Sequence, residues 1–191
     1  MSGLRLSLAL HDNRPELPDV TGSRFSAQLW RGGQAVGGTL DPTQRGRPVG
    51  PVRWCVLSDL GEGAESDPDG VWLLEQINPG DRASPEGAAA LFVVAMDIAK
   101  SAEEEFNDWY DTEHIPLLNA VPGVICARRF RTLRGAPRYA AIYHLADSHA
   151  YASTPWCNAD QTPWIKRMRR FQSNRQYLMF HPATAVSQIA A

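Results

Sequence analysis

The sequence predicts an α+β fold made of two ferredoxin-like units, the second complete and the first degenerate and helix-poor, closing together into a barrel. Three observations carry this. Residues 88–181 read strand–helix–strand–strand–helix–strand, the order of a split β-α-β unit. Residues 1–87 hold four short apolar runs separated by Gly/Pro clusters and no helical stretch. The run from Gly50 to Leu60 can be laid on Gly135 to Leu145 without a gap, matching Gly, Arg and Leu and setting an aromatic against an aromatic.

In chain order, Leu4–Leu10, Phe25–Trp30, Val52–Leu60 and Val71–Ile77 are short, apolar and bounded by turn residues, which suits strands. The stretches Asp12–Ser23 and Gly61–Gly70 stand where a complete unit carries its helices. The second half opens on Leu91–Met96, an apolar run of a fully buried strand. Ser101 with Glu104 three residues on is a capping-box pattern, and Glu103, Glu104 and Glu105 complement the positive end of a helix dipole. That helix is expected from about Ala102 to Ile115, where Pro116 kinks or stops it. Pro122-Gly123 turns the chain into Val124–Leu133; Arg134-Gly135 turns it again into Arg138–Leu145. Asp147 or Ser148 caps a second helical region, Pro155 interrupts it, and Thr162-Pro163 restarts it from Trp164 to about Phe171. Gln176–Phe180 is the last strand. The expected domains are residues 1–87 and 88–183, with a peripheral tail at 184–191.

Composition excludes several classes. With 43% hydrophobic and 21% charged residues the chain is globular rather than disordered. The net charge of −2 argues against nucleic acid and anionic membranes as partners. It conceals an asymmetry: residues 1–87 carry eight Arg against twelve Asp or Glu, and the rest is net positive. No apolar run approaches a membrane span. Three cysteines, none in a CxxC spacing, read as reduced thiols of a cytoplasmic protein. The five histidines show no metal-ligand spacing, and no phosphate loop or GxGxxG appears, so no metal and no cofactor is expected. The basic run Lys166–Arg170 falls at a helix C-terminus, where cations complement the dipole.

The chemistry concentrates in Glu105–Pro116, which packs Trp, Tyr, His and several carboxylates together. On a helix of 100° per residue, Phe106 and Tyr110 share a face; Trp109 and Glu113 flank it on one side, Asn107 and His114 on the other. Asn107, Tyr110 and His114 then form a polar line, with Tyr110 and His114 four residues apart and able to meet. A histidine there suits proton transfer. It equally suits a structural bond to a carbonyl freed by Pro116. Trp109 and Phe106 are core or substrate-lining, and Glu113 is a site residue or an arginine's partner.

Phe106-Asn-Asp-Trp-Tyr-Asp-Thr-Glu-His-Ile-Pro116, then Val121-Pro-Gly123, Ala127-Arg-Arg-Phe130, Tyr139 and Tyr143, resembles the EthD-like group of the dimeric α/β-barrel superfamily over residues 88–181. The resemblance implies a barrel and, in cofactor-free members, acid–base work by His and Tyr. It gives a role to His114, with Tyr110 or Tyr143 as partner. The wider superfamily spans monooxygenases, cyclases, isomerases, lyases and haem enzymes. The first half lacks the Trp-Tyr…His-Ile-Pro signature.

Further candidates follow from alternation. In Arg138–Leu145, Tyr139, Ala141, Tyr143 and Leu145 face one side; Arg138, Ala140, Ile142 and His144 face the other. His144 is a cavity-wall residue or a packed one. Arg129 binds a substrate anion or pairs with a carboxylate of the first helix, and Trp156 lines the pocket. The expected function is a cofactor-independent enzyme doing acid–base chemistry on a small hydrophobic, aromatic or polyketide-like carbonyl compound held in the barrel cavity. The alternatives are a non-catalytic small-ligand binder and a haem protein. If the first half is a repeat, the barrel closes within one chain; if not, two chains form a homodimer.

Overall fold

The computed structural model describes residues 3–17, 27–37, 41–60, 71–135 and 137–183. Every apolar run marked as a strand becomes one. They are β1 (Arg5–His11), β2 (Ala27–Gln34), β3 (Arg53–Leu60), β4 (Val71–Asn78), β5 (Ala90–Ile98), β6 (Val124–Arg134), β7 (Tyr139–Leu145) and β8 (Gln172–Pro182). All pair antiparallel and close in the order β1-β3-β2-β8-β5-β7-β6-β4, so no strand edge is left open. Within residues 1–87 the order is fourth, first, third, second; within 88–183 it is the same. The pairings β2–β8 and β4–β6 join the halves.

Alternation divides the side chains into two layers. Inside the barrel lie Leu6, Leu8, Leu57, Leu91, Phe130 and Phe180 among others, all buried. Branched and aromatic side chains fill most of this eight-stranded interior, which reduces the expected substrate cavity to a space of about 190 Å³ at one end, beside Gln34, Gln176, Leu178 and Phe180. Outside, the faces of β5, β6, β7 and β8 pack against helices through Phe92, Ala127, Ala141, Tyr143 and Met179. The candidate chemistry sits in this outer layer.

The helices are α1 (Glu103–Trp109), a π-helical turn (Tyr110–His114), α2 (Ile115–Asn119), α3 (Thr154–Ala159) and α4 (Pro163–Met168). Short 3-10 turns precede α1 and α3 and follow α4. In the first half, the described residues contain only the 3-10 turn Pro42–Gln44. The stretch Gly61–Gly70 and the tail 184–191 lie outside the described residues, as does the later part of Asp12–Ser23.

Three local expectations change. The capping box at Ser101 does not form: a 3-10 turn over Lys100–Ala102 makes Ala102 the N-cap, without a side-chain cap. Glu103 instead accepts from the Tyr139 hydroxyl at 2.6 Å and pairs with Arg138 at 2.8 Å. The helix does not end at Pro116. In a regular α-helix, Pro116 would leave the Thr112 carbonyl without a donor and press its ring on it. A π turn relaxes this conflict: the Ile115 N–H reaches back to the Tyr110 carbonyl, and the helix runs on to Asn119. Pro155 opens a helix rather than interrupting one, because it falls in the first turn behind the Ser153 cap. Thr162 caps α4 as expected, its Oγ1 accepting from the Ile165 N–H at 3.2 Å.

Candidate functional site

The π turn positions the site. It adds a residue to one helical turn, which carries His114 over Trp109 as well as beside Tyr110. The His114 ring centroid lies 4.5 Å from that of Trp109, tilted by 33°, and 5.0 Å from that of Tyr110, edge to face. All three are buried. Phe106 packs edge-on against Tyr110 at 4.9 Å.

Asn107 is turned away from this group. It accepts a hydrogen bond from Arg129 Nη2 at 2.5 Å, and Arg129 also meets Asp111 at 3.2 Å. The Arg129 guanidinium, buried under α1, lies 4.5 Å from the Tyr110 ring centre and 5.1 Å from those of Phe106 and Tyr139. The expected line Asn107–Tyr110–His114 is thus corrected: Asn107 and Arg129 stand on one side of Tyr110 and His114 on the other. A regular wheel fails across a π turn. Among the described residues Glu113 pairs with no arginine; it accepts from Trp109 Nε1 at 3.2 Å and from Thr162 Oγ1 at 2.6 Å, tying the helix to the cap of α4.

β7 supplies Tyr143, whose ring faces the helices and meets Trp156 of α3 edge-on at 5.2 Å. His144, one residue on, points into the barrel, 6.1 Å from the Trp30 ring. The sheet separates it from the other candidates, and among the described residues neither of its ring nitrogens has a hydrogen-bond partner. The structure brings together Trp109, Tyr110, His114, Tyr143 and Trp156, which line one small cavity of about 40 Å³.

That cavity has members the sequence did not mark. Phe92, Tyr151 and Tyr177 extend its aromatic wall, with Phe92 and Tyr151 4.0 Å apart between ring centres. Asp160 lines it too, bonded to Arg45 at 2.9 Å and Arg169 at 3.1 Å. Arg45 is 115 positions from Asp160 in the chain, and no local pattern signals such a tie.

Burial dominates the electrostatics. It pushes the His114 imidazolium down to about 3, with Arg169 and Arg129 adding to the effect. His114 is therefore neutral at ordinary pH and open to a proton. Among the described residues no hydrogen bond reaches its ring. Burial also pushes the Tyr110 and Tyr143 phenols up, so both remain donors. The set holds a neutral acceptor beside two O–H donors in an aromatic enclosure, the pieces needed to take a proton and steady an oxyanion. As it stands, the cavity admits no more than a few waters.

Among the described residues no group of three His, Cys, Asp or Glu side chains could hold a metal ion. No described helix is long and apolar enough to cross a membrane.

No protein-family model and no curated protein matches the chain. Solved structures do match. A major regulator of staphylococcal pathogenesis aligns over 94% of this chain and 99% of its own, at 9% identity and TM-score 0.57. A "putative monooxygenase" from Fusobacterium nucleatum aligns over 95% and 93%, at 8% identity and TM-score 0.53. Another, from Lactobacillus acidophilus, aligns over 94% and 93%, at 11% identity and TM-score 0.50. The chain shares the overall fold of these proteins, here a closed antiparallel eight-stranded barrel with helices on its outer face. At such identity the likeness concerns fold, and reaction must be argued from the site.

Proposed function

We propose that the chain is an EthD-like, monooxygenase-like small-molecule enzyme working without a bound cofactor on a hydrophobic, aromatic or polyketide-like carbonyl compound. The observation that carries this is the buried, neutral His114 set against Trp109 and Tyr110 in a pocket that Tyr143 and Trp156 also line. A proton passes from the substrate, at a hydroxyl or a carbon next to a carbonyl, to a ring nitrogen of His114. The electron pair stays on the substrate as a phenolate or enolate, and Tyr110 or Tyr143 donates a hydrogen bond to the new oxyanion. The negative charge then favours the imidazolium that burial alone disfavours. Where the outcome is oxygenation, dissolved dioxygen is the oxidant and the substrate anion the reductant. Phe106 backs Tyr110, while Asn107 and Arg129 position it.

The shared fourth–first–third–second strand order supports reading residues 1–87 and 88–183 as two ferredoxin-like units of one barrel. On that reading the barrel closes within one chain, and a monomer suffices. Free thiols at Cys55, Cys126 and Cys157 support a cytoplasmic setting.

The test is turnover and dioxygen uptake on a panel of aromatic and polyketide-like carbonyl compounds. His114→Ala should lower the rate on any converted compound by about 10²–10⁴-fold. Full turnover by that variant would overturn the mechanism. Saturable binding with no conversion by the wild type would instead identify a ligand-binding protein.

A further inference from the structure

We propose a second binding site, on the outer face of the first half, for an organic anion with an apolar body and an oxyanion head. A cavity of about 750 Å³ opens there, within the range of small-molecule sites. Register builds its floor. Trp54 of β3 lies opposite Arg31 of β2, and Arg31 lies opposite His181 of β8, so the three form one outward row. In the next outward position of β2, Gly33 pairs with Met179 and leaves the floor low. The loop through Arg45–Val52 makes one wall and Ser148–Ala152 the other.

The lining has a single sign. Arg14, Arg31, Arg45, Arg47, His149 and His181 face the cavity, and none of its described lining residues is acidic. Four of the eight arginines in the acidic half gather here. Arg45 is committed to Asp160, and His149 to Asp147 at 2.7 Å. Arg14 and Arg31 instead lie over the Trp54 ring, at 5.6 and 5.5 Å, and Arg47 bonds the neutral Gln44. Among the described residues no carboxylate pairs with Arg14 or Arg31, while Arg47 also acts on the Asp41 carboxylate. Guanidinium groups held by an aromatic face and lacking a counter-ion are suited to a carboxylate or phosphate. Pro48, Pro51, Val52, Met179 and Pro182 supply the apolar surface for the rest of the ligand.

The experiment is calorimetric titration of the full chain with 2-naphthoate, 2-naphthyl phosphate and the neutral 2-naphthamide. At least one anion should bind at a single site, ten-fold or more tighter than the amide, and the better of the two identifies the head group. Arg31→Gln and Arg47→Gln, both at exposed side chains, should each weaken that anion several-fold and together at least ten-fold. His114→Ala should leave it unchanged, which keeps this outcome separate from the fate of the His114 mechanism. Equal binding of the amide, no saturable binding of either anion at millimolar concentration, or unchanged affinity in the double variant would each overturn the proposal.

Discussion

Burial leaves two histidines neutral, and that has a measurable cost in acid. The imidazoles of His114 and His144 are both pushed down to about 3, by burial first. An unfolded chain binds protons at these residues below about pH 6.5, and the folded chain does not. Stability is therefore intact above that pH and falls as pH drops from about 6.5 towards 3. Each residue adds up to about 1.4 kcal/mol per pH unit to the slope. Urea unfolding at pH 7, 5.5 and 4.5 should show this, and His144→Leu should shallow it by about one residue's share. An unchanged slope contradicts the assignment. Asp59 gives a second prediction. It accepts from the Ser84 N–H at 2.7 Å, the Ser84 hydroxyl at 2.9 Å and Arg128 Nη1 at 3.2 Å, inside the barrel wall. Asp59→Ala leaves the Arg128 guanidinium buried without its charge partner, and should cost about 3–5 kcal/mol in denaturant unfolding.

At the scale of elements, the strands were legible and the helix geometry was not. Short apolar runs between Gly/Pro clusters leave few alternatives to a strand, and alternation in β7 correctly set Tyr143 and His144 on opposite faces. The capping box failed because a 3-10 turn took Ser101 into its own register. The polar line failed because the conflict at Pro116 is relieved by a π turn, which no 100° wheel anticipates. What the sequence did locate was the segment, since Trp109, Tyr110 and His114 do converge. Their companions Asp160 and Tyr151 come from a region with no motif of its own. The join between these regions is testable. Thr162 caps α4 and donates to Glu113 at once. Thr162→Ala should cost about 1 kcal/mol and speed amide exchange in Pro163–Met168. Unaltered exchange there contradicts a capping role.

For the whole molecule, one chain supplies all eight strands of the closed barrel. The near-neutral net charge, uninformative at first, hides an acidic half with four of its eight arginines at one cavity and a basic half that carries the described α-helices. Removing residues 1–87 would expose the edges of β6 and β8, which pair with β4 and β2 in the intact chain. Because both halves share one strand order, a fragment of residues 88–183 should pair β6 with β8 of a second copy and appear as a dimer in light scattering. A stable folded monomer of that fragment contradicts the two-unit reading.

The proposed chemistry belongs to the layer between helices and sheet, at His114, and not to the barrel interior, at His144. Turnover of one converted aromatic carbonyl compound by His114→Ala and His144→Leu, both checked for folding by near-ultraviolet circular dichroism, tests this most directly. Loss of about two orders of magnitude or more is expected in the first and near wild-type turnover in the second. Retained turnover in His114→Ala with loss in His144→Leu would contradict it.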